Sequence, residues 1–194
     1  MALPFTDAQR SAIRSRLLES AQRHALNTGV RKTSLDALTA DAGISKSSFY
    51  KFYESKEQLF LEVAARWEQQ ILESGAQSLL SSGSQDSKQR AAAFVYAVFE
   101  SIHQLGVTRF LREDMPYLNA FISGDEARAH CLNSSRSIFD SLRAARIRFT
   151  APDDTVLSVI QLMYLSILSI GDIGDGFFPA LRELVQAACD RLVA

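Results

Sequence analysis

A chain of 194 residues with 47% hydrophobic and 22% charged residues is long enough to bury a sizeable core, and this balance excludes a disordered or fibrous protein. The formal net charge of −1 conceals an asymmetry: residues 1–60 carry nine Lys/Arg against six Asp/Glu, and residues 61–194 carry twelve against sixteen. The basic N-terminal end is therefore where a polyanion is expected to bind.

Four prolines and nine glycines punctuate long stretches of apolar residues at helical spacing, with no period-two alternation, which predicts an all-α fold. Thr6 with Gln9 makes a capping-box pattern ahead of the stripe Ile13, Leu17, Leu18, Ala21 and Ala25, and Gly29 stands where that first helix ends. Thr33, with Asp36 three residues on, is placed to cap a short second helix with Leu35, Leu38 and Ala42 inward and Gly43 as its stop. Ser45 caps a third short helix reaching about Phe52, and Ser55 with Gln58 opens a long fourth helix predicted over 55–74. The Ser- and Gly-rich stretch 74–88 reads as a loop. Further helices are predicted over 88–105, 107–114, 125–148, 154–170 and 179–193, with Pro179 in a first turn.

The second and third helices, joined by a turn centred on Gly43, form a helix-turn-helix candidate. The first must pack closely behind the second, and Leu38, Ala42 and Ile44 supply small or apolar residues for that contact. Gly43 tolerates the left-handed backbone of the turn. The protruding helix needs short polar side chains for base edges, with hydroxyl and cationic groups for phosphate oxygens, and Ser45, Lys46, Ser47, Ser48, Tyr50 and Lys51 provide that set.

Residues 33–60, TSLDALTADAGISKSSFYKFYESKEQLF, closely resemble the signature of the tetracycline-repressor family. There a Gly, an aliphatic residue and Ser-Lys precede an aromatic-Tyr pair, and Ser-Lys-Glu opens the next helix, as Gly43, Ile44, Ser45-Lys46, Phe49-Tyr50 and Ser55-Lys56-Glu57 do in this chain. The resemblance implies that Lys46, Ser47, Ser48 and Tyr50 face the major groove or its flanking phosphates, that Lys56 contacts phosphate, and that Thr33 and Ser34 approach the DNA backbone. It departs from the usual pattern at Ser47, where Gly is frequent, at Thr39, where Ala is usual, and at Phe52-Tyr53, where the order is often Tyr-Phe. Phe52 therefore lacks a hydroxyl that commonly meets phosphate, and Tyr53 reads as a packing residue with a polar tip.

The family also implies a division into a helix-turn-helix DNA-binding domain over 1–60 and a larger helical effector-binding and dimerisation domain over 61–194. Residues 155–170 are apolar nearly all round, and Leu181, Leu184, Val185, Ala188 and Leu192 form a regular stripe. Pattern alone is compatible with a monomer core. The resemblance implies a homodimer seam including Leu162, Leu165, Leu181, Leu184, Val185, Ala188 and Leu192, as a palindromic double-stranded operator requires. Aromatic residues at helical spacing are usually core, but in this family the middle helices surround an apolar small-molecule effector pocket. Phe99, His103, Phe110, Tyr117 and Phe139 are the expected lining.

No secretory signal is visible and the run 156–170 is interrupted by Ser158, Gln161, Ser166 and Ser169, so the sequence predicts no membrane association and a cytoplasmic protein. Cys131 and Cys189 lie in no metal-ligand pattern and read as packed, reduced thiols. His24, His103 and His130 are scattered, no hydrolase, zinc or phosphate-loop signature occurs, and 171–176 (GDIGDG) reads as an inter-helix turn. The expectation is a non-enzymatic regulator, most simply a repressor, with no cofactor and no metal. An effector-independent regulator and a helical ligand-binding module that has lost DNA binding are the alternatives.

Overall fold

The structure, a computed structural model, describes residues 5–81, 86–121 and 135–194. Its regular elements among these residues are helical. An isolated antiparallel bridge between Phe149 and Val193 is the one β-type pairing among the described residues. The contacts divide the chain into two compact units, one from Met1–Arg66 and Arg109–Phe121, the other from Trp67–Thr108 and Ile122–Ala194, each taken over its described residues.

In the N-terminal unit α1 spans Asp7–Asn27, and both hydrogen bonds of the Thr6–Gln9 capping box are formed. Ile13, Leu17, Leu18, Ala21 and Ala25 are all buried. The helix stops because Gly29, at φ +88°, turns its N–H back onto the His24 carbonyl, 2.8 Å away. α2 covers Leu35–Ala42, and its N-cap is Ser34, whose Oγ accepts from the Ala37 N–H at 3.1 Å. Thr33 is not the cap. It is buried, and its hydroxyl donates to the Gly29 carbonyl at 2.7 Å, closing the turn between the helices. α1 and α2 are tied by Asp41, whose Oδ2 accepts from Ser20 Oγ (2.6 Å) and Arg23 Nη2 (2.8 Å) and lies 3.2 Å from His24 Nε2.

α3 is the short helix Lys46–Phe49 and α4 runs over Lys56–Ser81, seven residues beyond the expected stop at 74. Gly75, which reads as a breaker, is buried inside α4 at a close crossing: a Cβ there would lie 2.8 Å from both Phe94 and Val98. The glycine is thus a packing residue, and tertiary contact overrides its low helix propensity.

Residues 109–121 belong to the N-terminal unit rather than with the remainder of the chain, in contrast to the boundary expected at residue 60. The reason is a set of polar ties. Arg109 Nη2 donates to the Ala25 and Leu26 carbonyls (2.8 and 3.0 Å), the Val30 N–H donates to Asp114 Oδ1 (3.1 Å), and the Tyr117 hydroxyl donates to Glu57 Oε1 (3.0 Å). The Arg31 guanidinium lies 4.8 Å over the Tyr117 ring. Instead of the single helix expected over 107–114, a π-helical turn at Phe110–Asp114 leads into α6 (Met115–Leu118) and a 3₁₀ turn (Asn119–Phe121). Pro116 sits in the first turn of α6, where a missing N–H is tolerated.

The second unit holds the later part of α4, α5 (Ser87–Gln104), α7 (135–144), α8 (Asp153–Ile167), the short α9 (Ile170–Ile173) with a 3₁₀ turn at Gly174–Gly176, and α10 (Phe177–Leu192). Positions 125–134 of the expected helix over 125–148 lie outside the described residues, as do Cys131 and His130. The helix expected over 154–170 breaks after Ile167. Much of the GDIGDG stretch is helical, in α9 and the 3₁₀ turn that follows, rather than open loop. α5 packs along α10 and contributes Phe94, Val95, Val98, Phe99 and Ile102 to the core. No single helix among the described residues is long and apolar enough to cross a membrane.

Candidate nucleic-acid interface

The turn between α2 and α3 depends on Gly43, which adopts φ +67° and ψ 37°; its N–H and that of Ile44 bond back to carbonyls of α2. Ser45 then caps α3, its Oγ accepting from the Ser48 N–H at 3.2 Å. The Ser45 hydroxyl also lies 2.9 Å from Ser47 Oγ and 3.0 Å from Ser48 Oγ, so three hydroxyls share one cluster at the start of the helix. Phe49 is fully buried and anchors the helix, while Tyr50 next to it is 60% exposed with its ring edge-on to Phe49. A hydrophobic anchor on one side and a hydroxyl, ammonium and phenol surface on the other is what a helix presented to a groove needs.

The candidate residues divide by what they already touch. Ser34, Ser45, Lys46, Ser47, Tyr50 and Lys51 are exposed, and Ser48 is half-buried. Lys46 Nζ pairs at 2.8 Å with Asp36 Oδ1 on the first turn of α2, which brings the beginnings of α2 and α3 together. Lys51 lies beside the N-terminal segment, its ammonium 5.4 Å over the Phe5 ring and its carbonyl accepting from Arg10 at 3.4 Å. Two residues differ from expectation. The Thr33 side chain faces inward, and Lys56 turns its ammonium onto the Val30 and Thr33 carbonyls at 3.0 and 2.8 Å. Those carbonyls close the α1–α2 turn without helical partners, and a cation satisfies both.

Behind α3 is a polar network that spacing does not announce; the order Phe52-Tyr53 is its only sequence hint. Tyr53 is buried against Phe49, ring centroids 5.7 Å apart, and its hydroxyl donates to Glu62 Oε2 on α4 at 2.9 Å. Arg14 of α1 donates to the same oxygen at 2.7 Å, and Arg66 approaches the other oxygen at 3.4 Å. Burial and the neighbouring Glu62 charge push the Tyr53 phenol up to about 12. Burial disfavours the Glu62 charge too, but hydrogen bonds from Arg14 and Tyr53 and the charges of Arg14 and Arg66 outweigh it and hold its carboxyl below the usual range. The Ser20 hydroxyl, ahead of Arg23 and His24, does the same for Asp41.

These shifts set a pH window for the N-terminal unit. Glu62 and Asp41 have lowered folded values, so their contribution is present above the ordinary carboxylate range near pH ~4 and is lost as pH falls through the lower folded values. Tyr53 has a raised value, so its contribution is complete below about pH 10 and is lost as pH climbs toward the folded value. Thermal unfolding should therefore be nearly flat between about pH 5 and 9 and fall off on both sides. Glu62→Gln should flatten the acid limb, and an unchanged acid limb in that variant would remove Glu62 from the account.

The expected effector-lining residues divide between the two units. Phe110 and Tyr117 belong to the N-terminal unit, where Phe110 is core and Tyr117 bonds Glu57. In the second unit Phe99 is fully buried, Phe139 stacks on Phe149 with centroids 5.3 Å apart, and the exposed His103 lies against Phe178 at 5.0 Å. The second unit contains an apolar cavity of about 30 Å³ walled by α5, α7, α8 and α10, with Val95, Leu142, Phe149, Ile160 and Met163 around it. None of the five expected residues lines it. Cys189 does, as a buried thiol that burial and the Asp190 charge push up to about 12.

The expected seam residues also separate. Leu162, Leu165 and Leu184 are 67%, 50% and 60% exposed on α8 and α10, whereas Leu181 and Val185 are buried in the subunit's own core at 2% and 1%. Ala188 and Leu192 are half-buried and wall the cavity together with Val185. Apart from Leu184, the regular stripe on α10 is therefore its inward face, packed toward α5 and α8. Among the described residues no group of three or more His, Cys, Asp or Glu is arranged to hold a metal.

A family model described as bacterial regulatory proteins, tetR family, matches residues 17–63, the part of the chain that contains α2, α3 and their supports. A comparison with curated protein sequences returns no match. Among solved structures, a putative tetR family transcription regulator from Shewanella sp. PV-4 is 18% identical, covers 94% of this chain and 98% of its own, and superposes with a TM-score of 0.61. The fatty acid degradation regulator FadR of Bacillus halodurans is 11% identical, with 91% and 94% covered and a TM-score of 0.61. FadR of Bacillus subtilis, solved in complex with stearoyl-CoA, is 13% identical, with 90% and 96% covered and a TM-score of 0.60. At such identities the likeness shows the fold, and it extends over nearly the whole length. Residues 17–63 thus match the tetR family of bacterial regulatory proteins, and the chain as a whole has the fold of the solved tetR regulators.

Proposed function

We propose that the chain is a homodimeric, non-enzymatic regulator of the cytoplasm that binds a palindromic operator through α3 and gives it up when a small, largely apolar effector binds the second unit. The observation that carries the DNA-binding part is the two-sided α3, with Phe49 buried and Ser45, Lys46, Ser47 and Tyr50 facing out. An apolar effector is favoured by the apolar walls of the cavity in the second unit. Two structural relatives, a fatty acid degradation regulator and a regulator solved with stearoyl-CoA, support the same ligand chemistry. A 30 Å³ space holds about one water, so an effector must open it. Because α4 begins in the first unit and continues into the second, it connects the two units covalently.

Gel shifts with the DNA upstream of the chain's own coding region test the reading. Lys46→Ala and Tyr50→Ala should each weaken specific binding by about 1–3 kcal/mol, with the far-ultraviolet spectrum unchanged, because both side chains project outward. The lysine variant should also reduce the salt slope if its ammonium meets phosphate. Wild-type affinity in both variants across a salt titration would remove α3 from the interface. For the effector, long-chain acyl-CoA titrations with and without operator should give affinities that differ about 5- to 150-fold, since coupling is reciprocal. Equal affinities would favour regulation without this effector.

A further inference from the structure

Tyr53 carries a hydroxyl that its packing does not need. Its ring is almost wholly buried against Phe49, a place a phenylalanine would fill equally well. A buried phenol must find an acceptor or lose the hydrogen bond it had with water, and the acceptor here is one oxygen of Glu62, 2.9 Å away. That oxygen also receives Arg14 at 2.7 Å, and the Arg14 guanidinium lies 5.7 Å over the Tyr53 ring. One carboxylate oxygen thus joins α1, α4 and the turn that leaves α3. The backbone continues the tie into the DNA-facing surface: the N–H groups of Phe52 and Tyr53 both bond the Phe49 carbonyl, at 2.8 and 3.2 Å, and Phe49 lies between Ser48 and the exposed Tyr50.

We infer that Tyr53, acting through Glu62, is a positioning residue for operator recognition, fixing the orientation of α3 on α4 and α1. This rests on the DNA-binding reading above. Glu62 is the node because it alone touches all three partners: the Tyr53 hydroxyl, Arg14 and Arg66. Charge-assisted hydrogen bonds of this kind are shorter and roughly twice as strong as neutral ones, so the tie adds to the aromatic packing in holding the orientation of α3. Neither Tyr53 nor Glu62 is placed as a DNA contact, and both act on binding through the attitude of Lys46 and Tyr50.

The test uses the full chain and a duplex selected by the wild-type protein from a random pool, with a scrambled duplex of equal length beside it. Tyr53→Phe keeps the ring and removes the hydroxyl. It should weaken binding to the selected duplex by up to about 10- to 150-fold, the range for loss of a hydrogen bond to a charged group, with scrambled-duplex affinity and salt slope unchanged because no phosphate contact is lost. Glu62→Gln keeps an acceptor oxygen and removes the charge, and should give a loss no larger than that of Tyr53→Phe. The double variant should fall no further than the weaker-binding single variant, the mark of one shared interaction. Wild-type discrimination in Tyr53→Phe, or equal losses on both duplexes in step with a lower melting temperature, would overturn the positioning role. A wild-type chain that selects no sequence from the pool would overturn the DNA-binding reading itself, and the positioning role with it.

Discussion

Leu165→Glu and Leu184→Glu are expected to leave the subunit folded and make it monomeric in sedimentation at micromolar concentration, whereas Val185→Glu should destabilise the subunit itself. The three positions lie within one predicted seam, yet the structure gives them opposite surroundings. Leu165 and Leu184 expose half or more of their surface, on α8 and α10, and Leu162, one turn before Leu165 on α8, is more exposed still. Three large exposed leucines on neighbouring helices are the beginning of an apolar patch that a second copy of the chain would cover. A glutamate there costs the free subunit roughly ±0.5 kcal/mol, as surface substitutions do, but in a dimer it would bury an unpaired charge. Val185 is enclosed by its own subunit, so a glutamate there faces that penalty with or without a partner. Several kcal/mol of destabilisation follow, and at about 2–4 °C per kcal/mol for a chain of this size the melting temperature should fall by roughly 10 °C or more. Dimers that survive both leucine substitutions would place the interface elsewhere.

What the sequence makes legible is local. The Thr6–Gln9 box, the Ser45 cap and the left-handed Gly43 are satisfied within a few residues, and each is found as its chemistry requires. What it hides is which neighbour a face meets. Gly75 and the serines around it carry the composition of a loop, but the reason they are helical lies in Phe94 and Val98, some twenty residues away. Leu181, Leu184 and Val185 share one hydrophobic pattern, and periodicity cannot say that Leu184 is turned out while the other two are turned in. The candidate interface divides in the same way. Ser45, Lys46, Ser47 and Tyr50 are exposed because α3 protrudes, which the motif encodes. Thr33 and Lys56 are turned onto the α1–α2 turn by backbone carbonyls that no side-chain pattern reveals. Phe110 and Tyr117 fall among aromatic residues spaced as in any core helix, and only the long-range ties of residues 109–121 reveal which core they serve.

Those ties lead to the second large effect, expected at Asp114. Its carboxylate is buried in the π-helical turn, where Oδ1 accepts the Val30 N–H at 3.1 Å and Oδ2 has no partner among the described residues. The Val30 N–H is buried as well, and no other acceptor serves it among the described hydrogen bonds. Asp114→Leu would strand that donor, a loss of about 1–3 kcal/mol, and the melting temperature should drop by roughly 2–12 °C. Asp114→Asn keeps an acceptor for Val30 and removes a buried charge, so it should stay within about 1 kcal/mol of the wild type. The effect should reach DNA binding too. The Val30 and Thr33 carbonyls hold the Lys56 ammonium at the start of α4, so loosening the turn at Val30 loosens the element against which α3 is set. Operator affinity is therefore expected to fall in the leucine variant and to recover in the asparagine variant. If both variants lose stability equally, the hydrogen bond to Val30 is not what matters. The contribution of Asp114 would then lie in its charge and the nearby Arg109, whose Nη1 lies 3.3 Å from where a Cβ on Gly29 would stand, with Asp114 Oδ2 3.4 Å from the same point.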